Sequence, residues 1–560
     1  MRRVKKLSRR IDATLTELMS SPPVPSCVPS DGPQDRPWRA ATPWRASVTA
    51  SPLAVALAIA VPLSALYMIL APPSGDLAAA TYRSDLFARA GLTLWDTGWY
   101  GGHYLPGYSL LAPALGALVG NRTLLAACAL ASSCLFGLLA RRSFPSTGAR
   151  AASASFALGV CVGLLSGRVA FGLGLSLGLL ALLALVRGPL LAALALAALT
   201  SLASPVAGAF LALAGLAYAL SGSLRGVALS GAALAPILAL ALAFPEGGWQ
   251  LFAPSMFWPV LAAVVLMALA LPRFGGALPE GVRRALTWGA WLYALALIGA
   301  FALRTPVGDN AVRLGALLGA PLAVGLLSER RRWMLALLAP ALLYWQLEAP
   351  ISDVTALAGT PSVNASYYAP LASELQRLAH GRPLRVEVPM TESHWESVYL
   401  AEHPPILLAR GWERQLDIRY NELFYRPGLS AASYTSWLRQ NAVSYVALPD
   451  ARLDVAGEQE AQLLARGLGS VLEVWRSSHW RLFAVRDPTA LAEPPAVLRA
   501  VGADSFTLQA PHAGAFTVRL RYTRYCTVLA GHGSVHSAPG GWTELDAHRA
   551  GVIRVGIELA

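Results

Sequence analysis

PPSGDLAAATYRSDLFARAGLTLWDTGWYGGHYLPGYSLL (72–111) follows the first long apolar run of the chain and breaks its pattern. Within these residues lie three carboxylates (Asp76, Asp85, Asp96), two arginines (Arg83, Arg89), His103 and a cluster of aromatics. The stretch therefore reads as a polar loop beside a membrane, and the remainder of the sequence tests which side it is on.

The surroundings are those of a polytopic α-helical membrane protein. Hydrophobic residues make up 55% of the 560 and charged residues 14%, with a mean hydropathy of +0.49. Apolar runs recur up to about residue 347. Eleven spans are expected, near 50–71, 122–140, 151–167, 169–186, 188–202, 204–221, 225–244, 256–272, 285–303, 311–327 and 333–348, of which 151–167 and 188–202 are short. Residues 106–120 are also apolar, and suit either a half-buried surface helix or a twelfth span that would reverse everything after it.

Arginine placement favours eleven. The net charge of +13 comes from the first 349 residues, where 26 Lys and Arg face 12 Asp and Glu. With the N-terminus cytoplasmic, the inner loops hold Arg141, Arg142, Arg150, Arg187, Arg225, Arg273, Arg283, Arg284, Arg330, Arg331 and Arg332, and the outer side has only six. This positive-inside bias puts the polar loop (72–121) and everything after residue 350 outside. Of eight carboxylates between residues 50 and 349, six fall on the outer side and none in mid-span. Buried span carboxylates usually mark ion or proton pathways. Their absence disfavours a transporter or lipid flippase, which remains the alternative together with a non-catalytic envelope scaffold.

The rest divides by composition. Residues 1–48 read as a disordered basic cytoplasmic tail. Residues 350–490 alternate as an α/β domain, with strands at 383–389, 443–448, 470–476 and 479–485 and helices at 366–379, 430–441 and 456–467. Residues 487–497 form a linker, and 498–560 suit a small β-sandwich. Only one of the five cysteines, Cys526, lies beyond residue 350, which excludes a disulfide within the exported region. No GxSxG, HExxH, Walker or Rossmann pattern occurs in a fitting context. Arginine-dominated basicity, with Lys only at 5 and 6, and heavy Ala, Gly and Pro usage suggest a high-GC bacterial source.

Gly75-Asp76 after the first span, WYGGHYLPGYSLLAPALGALVG (99–120) before the second, GRVAFGLGLSLGLLALLAL (167–185) and LASPVAGAFLALAGLA (202–217) together resemble the type C (GT-C) glycosyltransferases. The motif WLRQNAVSYVALPD (437–450) resembles outer domains of bacterial polytopic proteins related to that superfamily. The resemblance implies transfer from a polyprenyl-phosphate sugar donor to a cell-envelope glycan, lipid or protein, at the outer face of the plasma membrane. It implies Asp76 as catalytic base, with Asp85 the alternative. Arg304, Arg313 and Arg168 are the candidate contacts to the donor phosphate, unless they are interfacial snorkellers. Trp99, Tyr100, His103, Tyr104, Trp395 and Trp412 are candidates for sugar or acceptor binding. Equally, the loop aromatics suit an interfacial belt, and the Arg–Glu-rich surroundings of Trp395 and Trp412 suit a network pinning the outer domain to the membrane loops. No ligand spacing demands a metal; a divalent ion such as Mg or Mn would find Asp76, His103 or Asp309.

Overall fold

The first apolar run becomes helix α1 (Pro52–Leu70), and α2 (Gly75–Ala90) starts only four residues beyond it. The computed structural model describes residues 51–329 and 331–558; the basic tail expected at 1–48 and Arg330 lie outside these. The Ser74 hydroxyl accepts the Leu77 N–H at 3.2 Å and so starts α2, which stops at Gly91 in a positive-φ conformation. With four charged side chains along its length, α2 lies outside the apolar layer. A two-residue hairpin follows, β1 (Trp95–Asp96) against β2 (His103–Tyr104), then α3 (Ala112–Val119). Eight residues span about 12 Å, far short of the roughly 30 Å hydrocarbon core. Residues 106–120 are therefore not a span: α3 lies across α2, with Gly116 packed where a Cβ would strike Ser84 and Asn121.

Ten further apolar helices follow: α4 (Asn121–Ser143), α5 (Ser146–Val162, prolonged by a 3₁₀ turn to Ser166), α6 (Val169–Arg187), α7 (Leu190–Ala203), α8 (Pro205–Leu220), α9 (Arg225–Ala243), α10 (Pro254–Phe274), α11 (Glu280–Ala302), α12 (Val312–Leu327) and α13 (Arg332–Leu357). Nine described helices, α1 among them, are long and apolar enough to cross a membrane, and α7 and α8 are shorter. The chain is a multi-pass membrane protein. Helix α13 continues well past residue 349, where the composition changes, and carries Asp353 with it.

Beyond it α14 (Ala365–Ala379) leads into a five-stranded sheet of order β4–β3–β5–β7–β6, built from β3 (Leu384–Glu387), β4 (Ile406–Leu408), β5 (Tyr445–Pro449), β6 (Val471–Arg476) and β7 (Trp480–Val485). The β4–β3–β5 side is parallel and the β5–β7–β6 side antiparallel. Helices α15 (Glu396–Tyr399), α16 (Arg414–Tyr420), α17 (Ala431–Gln440) and α18 (Val455–Ala465) complete this domain. Inside it the buried Arg410 guanidinium grips Asp417 at 3.0 and 2.6 Å and Glu460 at 2.9 Å. The last strands, β8 (Val497–Val501), β9 (Ser505–Ala510), β10 (Gly514–Arg521), β11 (Cys526–Ala530), β12 (Gly533–Ser537), β13 (Trp542–Ala547) and β14 (Gly551–Ile557), form two facing sheets, β11–β14–β9–β8 and β10–β13–β12. Leu508, Val518, Leu545 and Ile553 fill the space between them. A polytopic helical domain followed by an α/β domain and a small β-sandwich is thus the architecture.

The two C-terminal domains are fastened to the membrane helices at defined points. Arg524 donates to the carbonyls of Leu242 and Ala243 at the C-terminal end of α9, where a cation suits the helix dipole, and Tyr525 donates to Ala243 as well. Glu246, just after α9, accepts the Tyr104 N–H at 2.5 Å and the Tyr420 hydroxyl at 2.9 Å. Burial pushes the Glu246 carboxyl up from 4.5 to about 7, against the pull of those two donors. Its folded-state affinity for a proton exceeds the unfolded one, so its stabilisation is complete below about pH 4.5 and lost as pH rises through 7. Glu246→Gln, which cannot ionise, should flatten the fall in thermal midpoint of the purified chain between about pH 5 and 8; an unchanged slope would assign that fall to other groups.

Candidate functional site

Asp76 sits in the first turn of α2, exposed enough to meet solvent at 35% of its side chain. Gly167 at φ 71° ends the 3₁₀ turn after α5 so close to Ser74 and Leu77 that a Cβ there would strike both. Only glycine meets both requirements, and the consequence is that Arg168, the next residue, lies against Asp76. Its Nε donates to Asp76 Oδ2 at 3.0 Å, and its Nη2 lies 3.8 Å from Asp353 Oδ2. Ser166 donates to the same Asp353 oxygen at 2.6 Å. Four segments far apart in sequence thus converge at one end of α2. Arg313 faces this group from the start of α12, with Arg168, Asp76, Asp309 and Tyr108 as its electrostatic neighbours. Its guanidinium lies 5.6 Å from the Phe171 ring centroid and forms no ion pair among the described residues.

The other expected residues lie elsewhere. Asp85 is nine residues along α2, about 14 Å away by helical rise. It faces Glu402, whose carboxyl burial and Asp85 together push up to about 7, with Arg89 on the far side at 3.9 Å. Arg304 is exposed, its guanidinium 4.8 Å over the Trp249 ring.

Most of the candidate aromatics are closed off. Trp99 is fully buried, stacked on Tyr82 at 4.1 Å, and its Nε1 donates to the Ser397 carbonyl at 3.0 Å. The Tyr100 hydroxyl donates to the Gly411 carbonyl and accepts the Glu413 N–H. His103 has no exposed surface; burial and Arg83 hold its pKa down to about 3, so it is neutral beside Asp96 at 3.6 Å. Tyr104 bonds Thr523 of the sandwich, and Trp395 stacks on Tyr399. These rings join the loop to the C-terminal domains, and all but the partly exposed Tyr104 are buried. Trp99, Tyr100 and Trp395 belong to one hydrophobic core running from Leu77 and Tyr82 to Tyr368 and Leu408. Trp412 is partly exposed, stacked on His394 at 3.3 Å with the Arg414 guanidinium 4.9 Å over its ring.

Two contributors escape a reading by composition. Asp353 follows the apolar part of α13, and only the helix's continuation returns it to the site. His394 lies more than 300 residues from Gly75, yet a Cβ at Gly75 would come within 3.1 Å of its ring. Among the described residues no three His, Cys, Asp or Glu side chains are grouped to hold a metal ion; Asp76 and Asp353 are bridged by Arg168 instead.

Across the same junction Arg83 of α2, almost fully buried, is ion-paired with Glu413, and its guanidinium lies 4.0 Å over the Tyr108 ring. Removing one member of a buried pair leaves an uncompensated charge, at a cost of about 3–5 kcal/mol. Arg83→Met should therefore lower the thermal midpoint sharply, and Glu413→Gln added to it should restore much of the loss. Equal midpoints for the single and double variants would mean that the charge pair does not govern docking.

No protein-family model matches the chain, and no curated protein matches it in sequence. Among solved structures it is similar to the arabinofuranosyltransferase AftD from mycobacteria, with 17% identity and a TM-score of 0.44 over 82% of this chain and 41% of that one. It is also similar to the Archaeoglobus fulgidus oligosaccharyltransferase, with 13% identity and a TM-score of 0.37 over 71% of this chain and 69% of that one. The chain thus spans about two fifths of the length of the first of these.

Proposed function

We propose that the chain is an inverting glycosyltransferase that takes a polyprenyl-phosphate sugar at the outer face of a bacterial plasma membrane. The N-terminus would be cytoplasmic and the domains after α13 outside, where they meet a cell-envelope glycan, lipid or protein. The observation that carries this reading is the state of Asp76. Arg168 holds one carboxylate oxygen, Oδ2, and Oδ1 has no hydrogen-bond partner among the described residues. The carboxylate is oriented and still available, which is what a general base requires.

In the reaction, Asp76 Oδ1 takes the proton of an acceptor hydroxyl as that oxygen bonds to the anomeric carbon. The bond from that carbon to the phosphate oxygen breaks, and the electron pair leaves with the polyprenyl phosphate. A single displacement inverts the anomeric centre. Arg313, a cation without an ion pair among the described residues, meets the phosphate and the charge that grows on it in this scheme. Arg168 is already engaged by two carboxylates, so its part is to orient Asp76. Arg304 and Asp85 have no role in this scheme.

Asp76→Asn in the purified chain, assayed with a panel of synthetic polyprenyl-phosphate sugars and simple glycoside acceptors, should reduce transfer by about 10²–10⁴-fold with the thermal midpoint preserved. Undiminished transfer would remove Asp76 from the chemistry. Substrate movement across proteoliposomes with no covalent product would favour a transporter.

A further inference from the structure

The loop after β3 is more tightly determined than an exported surface loop needs to be. The buried Glu396 carboxylate accepts both the Thr391 N–H at 3.0 Å and the Thr391 hydroxyl at 2.6 Å. Thr391 Oγ1 in turn accepts the His394 N–H, the Ser397 hydroxyl donates to the His394 carbonyl, and Ser393 donates to the Ser362 carbonyl. This network holds His394 at φ 58°, in the left-handed region that non-glycine residues adopt uncommonly, histidine more often than most. Such conformations persist only where the surroundings over-determine them, and they gather at functional sites.

The ring is fixed as firmly as the backbone. It stacks on Trp412 within 8° of parallel, and Nε2 lies 3.6 Å from Asp454. Arg414 anchors Asp454 through two bonds of 2.8 and 2.5 Å. Nδ1 is buried without a partner among the described residues, and at 3.6 Å Nε2 lies just beyond hydrogen-bond distance of Asp454. What the placement does achieve is contact: the Cδ2 edge lies against Gly75, the residue before Asp76, at a distance only glycine allows without a shift.

We propose that His394 is a positioning residue for Asp76, its locked ring forming the wall against which the first turn of α2 is set. The exported domain then completes the site: it fixes from outside the carboxylate that Arg168 fixes from the membrane side. The contact with Gly75 is steric, so the flat ring is the part required. This inference rests on the assignment of Asp76 as the base.

The test uses the full-length chain and the polyprenyl-phosphate sugar that it turns over. His394→Gly suits the backbone and removes the wall; it should lower kcat about tenfold or more, since small misplacements of a reacting group are costly, with donor KM little changed. His394→Phe, which keeps a flat ring, should recover most of that loss. Gly75→Ala should lower kcat in the wild-type chain and have no further effect in the His394→Gly background, because contacting residues are non-additive. If His394→Gly keeps wild-type kcat while Asp76→Asn is inactive, His394 is a packing residue only and this inference alone falls. A loss confined to KM, or full additivity with Gly75→Ala, would overturn it equally. If Asp76→Asn is itself fully active, the assignment of the base falls and this inference with it.

Discussion

A buried arginine on a helix with no acidic partner of its own in reach must be answered by a carboxylate from elsewhere in the chain. Arg83 on α2 is that residue and Glu413 of the α/β domain is the answer. Burial raises the proton affinity of Glu413, and the Arg83 guanidinium opposes that rise. Deleting either side chain while the domains stay docked leaves the other charge buried and uncompensated. The aromatic residues of 95–108 close around this pair, and that arrangement makes the loop a core shared between two domains.

Fixing the middle of α2 in this way fixes its ends. The helix is 16 residues long and stiff on the scale of the contacts it makes; in its first turn Leu77 still packs in the core, while Asp76 beside it turns to Arg168. Asp76 is thereby presented to the group of Arg168, Asp353 and Arg313. Two parts of one helix thus differ: Tyr82 and Arg83 join the domains, and Asp76, the proposed base, stays partly exposed.

The sequence made much of this readable. Span positions follow from hydropathy because lipid enforces length and apolarity, and β6 follows from alternation because one of its faces is buried; β4, three residues buried throughout, gives no such pattern and was not expected. The placement of Asp76 and Arg168 on a common side was also within reach, since both flank span ends. What stayed hidden was whatever depends on a partner distant in sequence. Trp99, Tyr100 and His103 have the composition of an interfacial belt or a sugar platform, and only Ser397, Gly411 and Glu413, some 300 positions on, decide that they are packed. Asp353 was obscured differently: ISDVT is too polar to read as span, yet α13 continues through it.

Holding a base and leaving it free to act are opposing requirements, and the contacts of Asp76 are compatible with both in the role proposed for it. A guanidinium in fork geometry would occupy both carboxylate oxygens. Arg168 instead approaches through Nε to Oδ2 alone, and directs Nη2 toward Asp353. Asp353 is itself steadied by Ser166. One cation thus orients the Asp76 carboxylate without enclosing it, because a second carboxylate draws the rest of its fork away. That division leaves Arg313 as the charge in the group with no ion pair. An anionic ligand entering here would therefore meet a cation that costs no existing contact, and the arrangement that frees Oδ1 is the same one that frees Arg313.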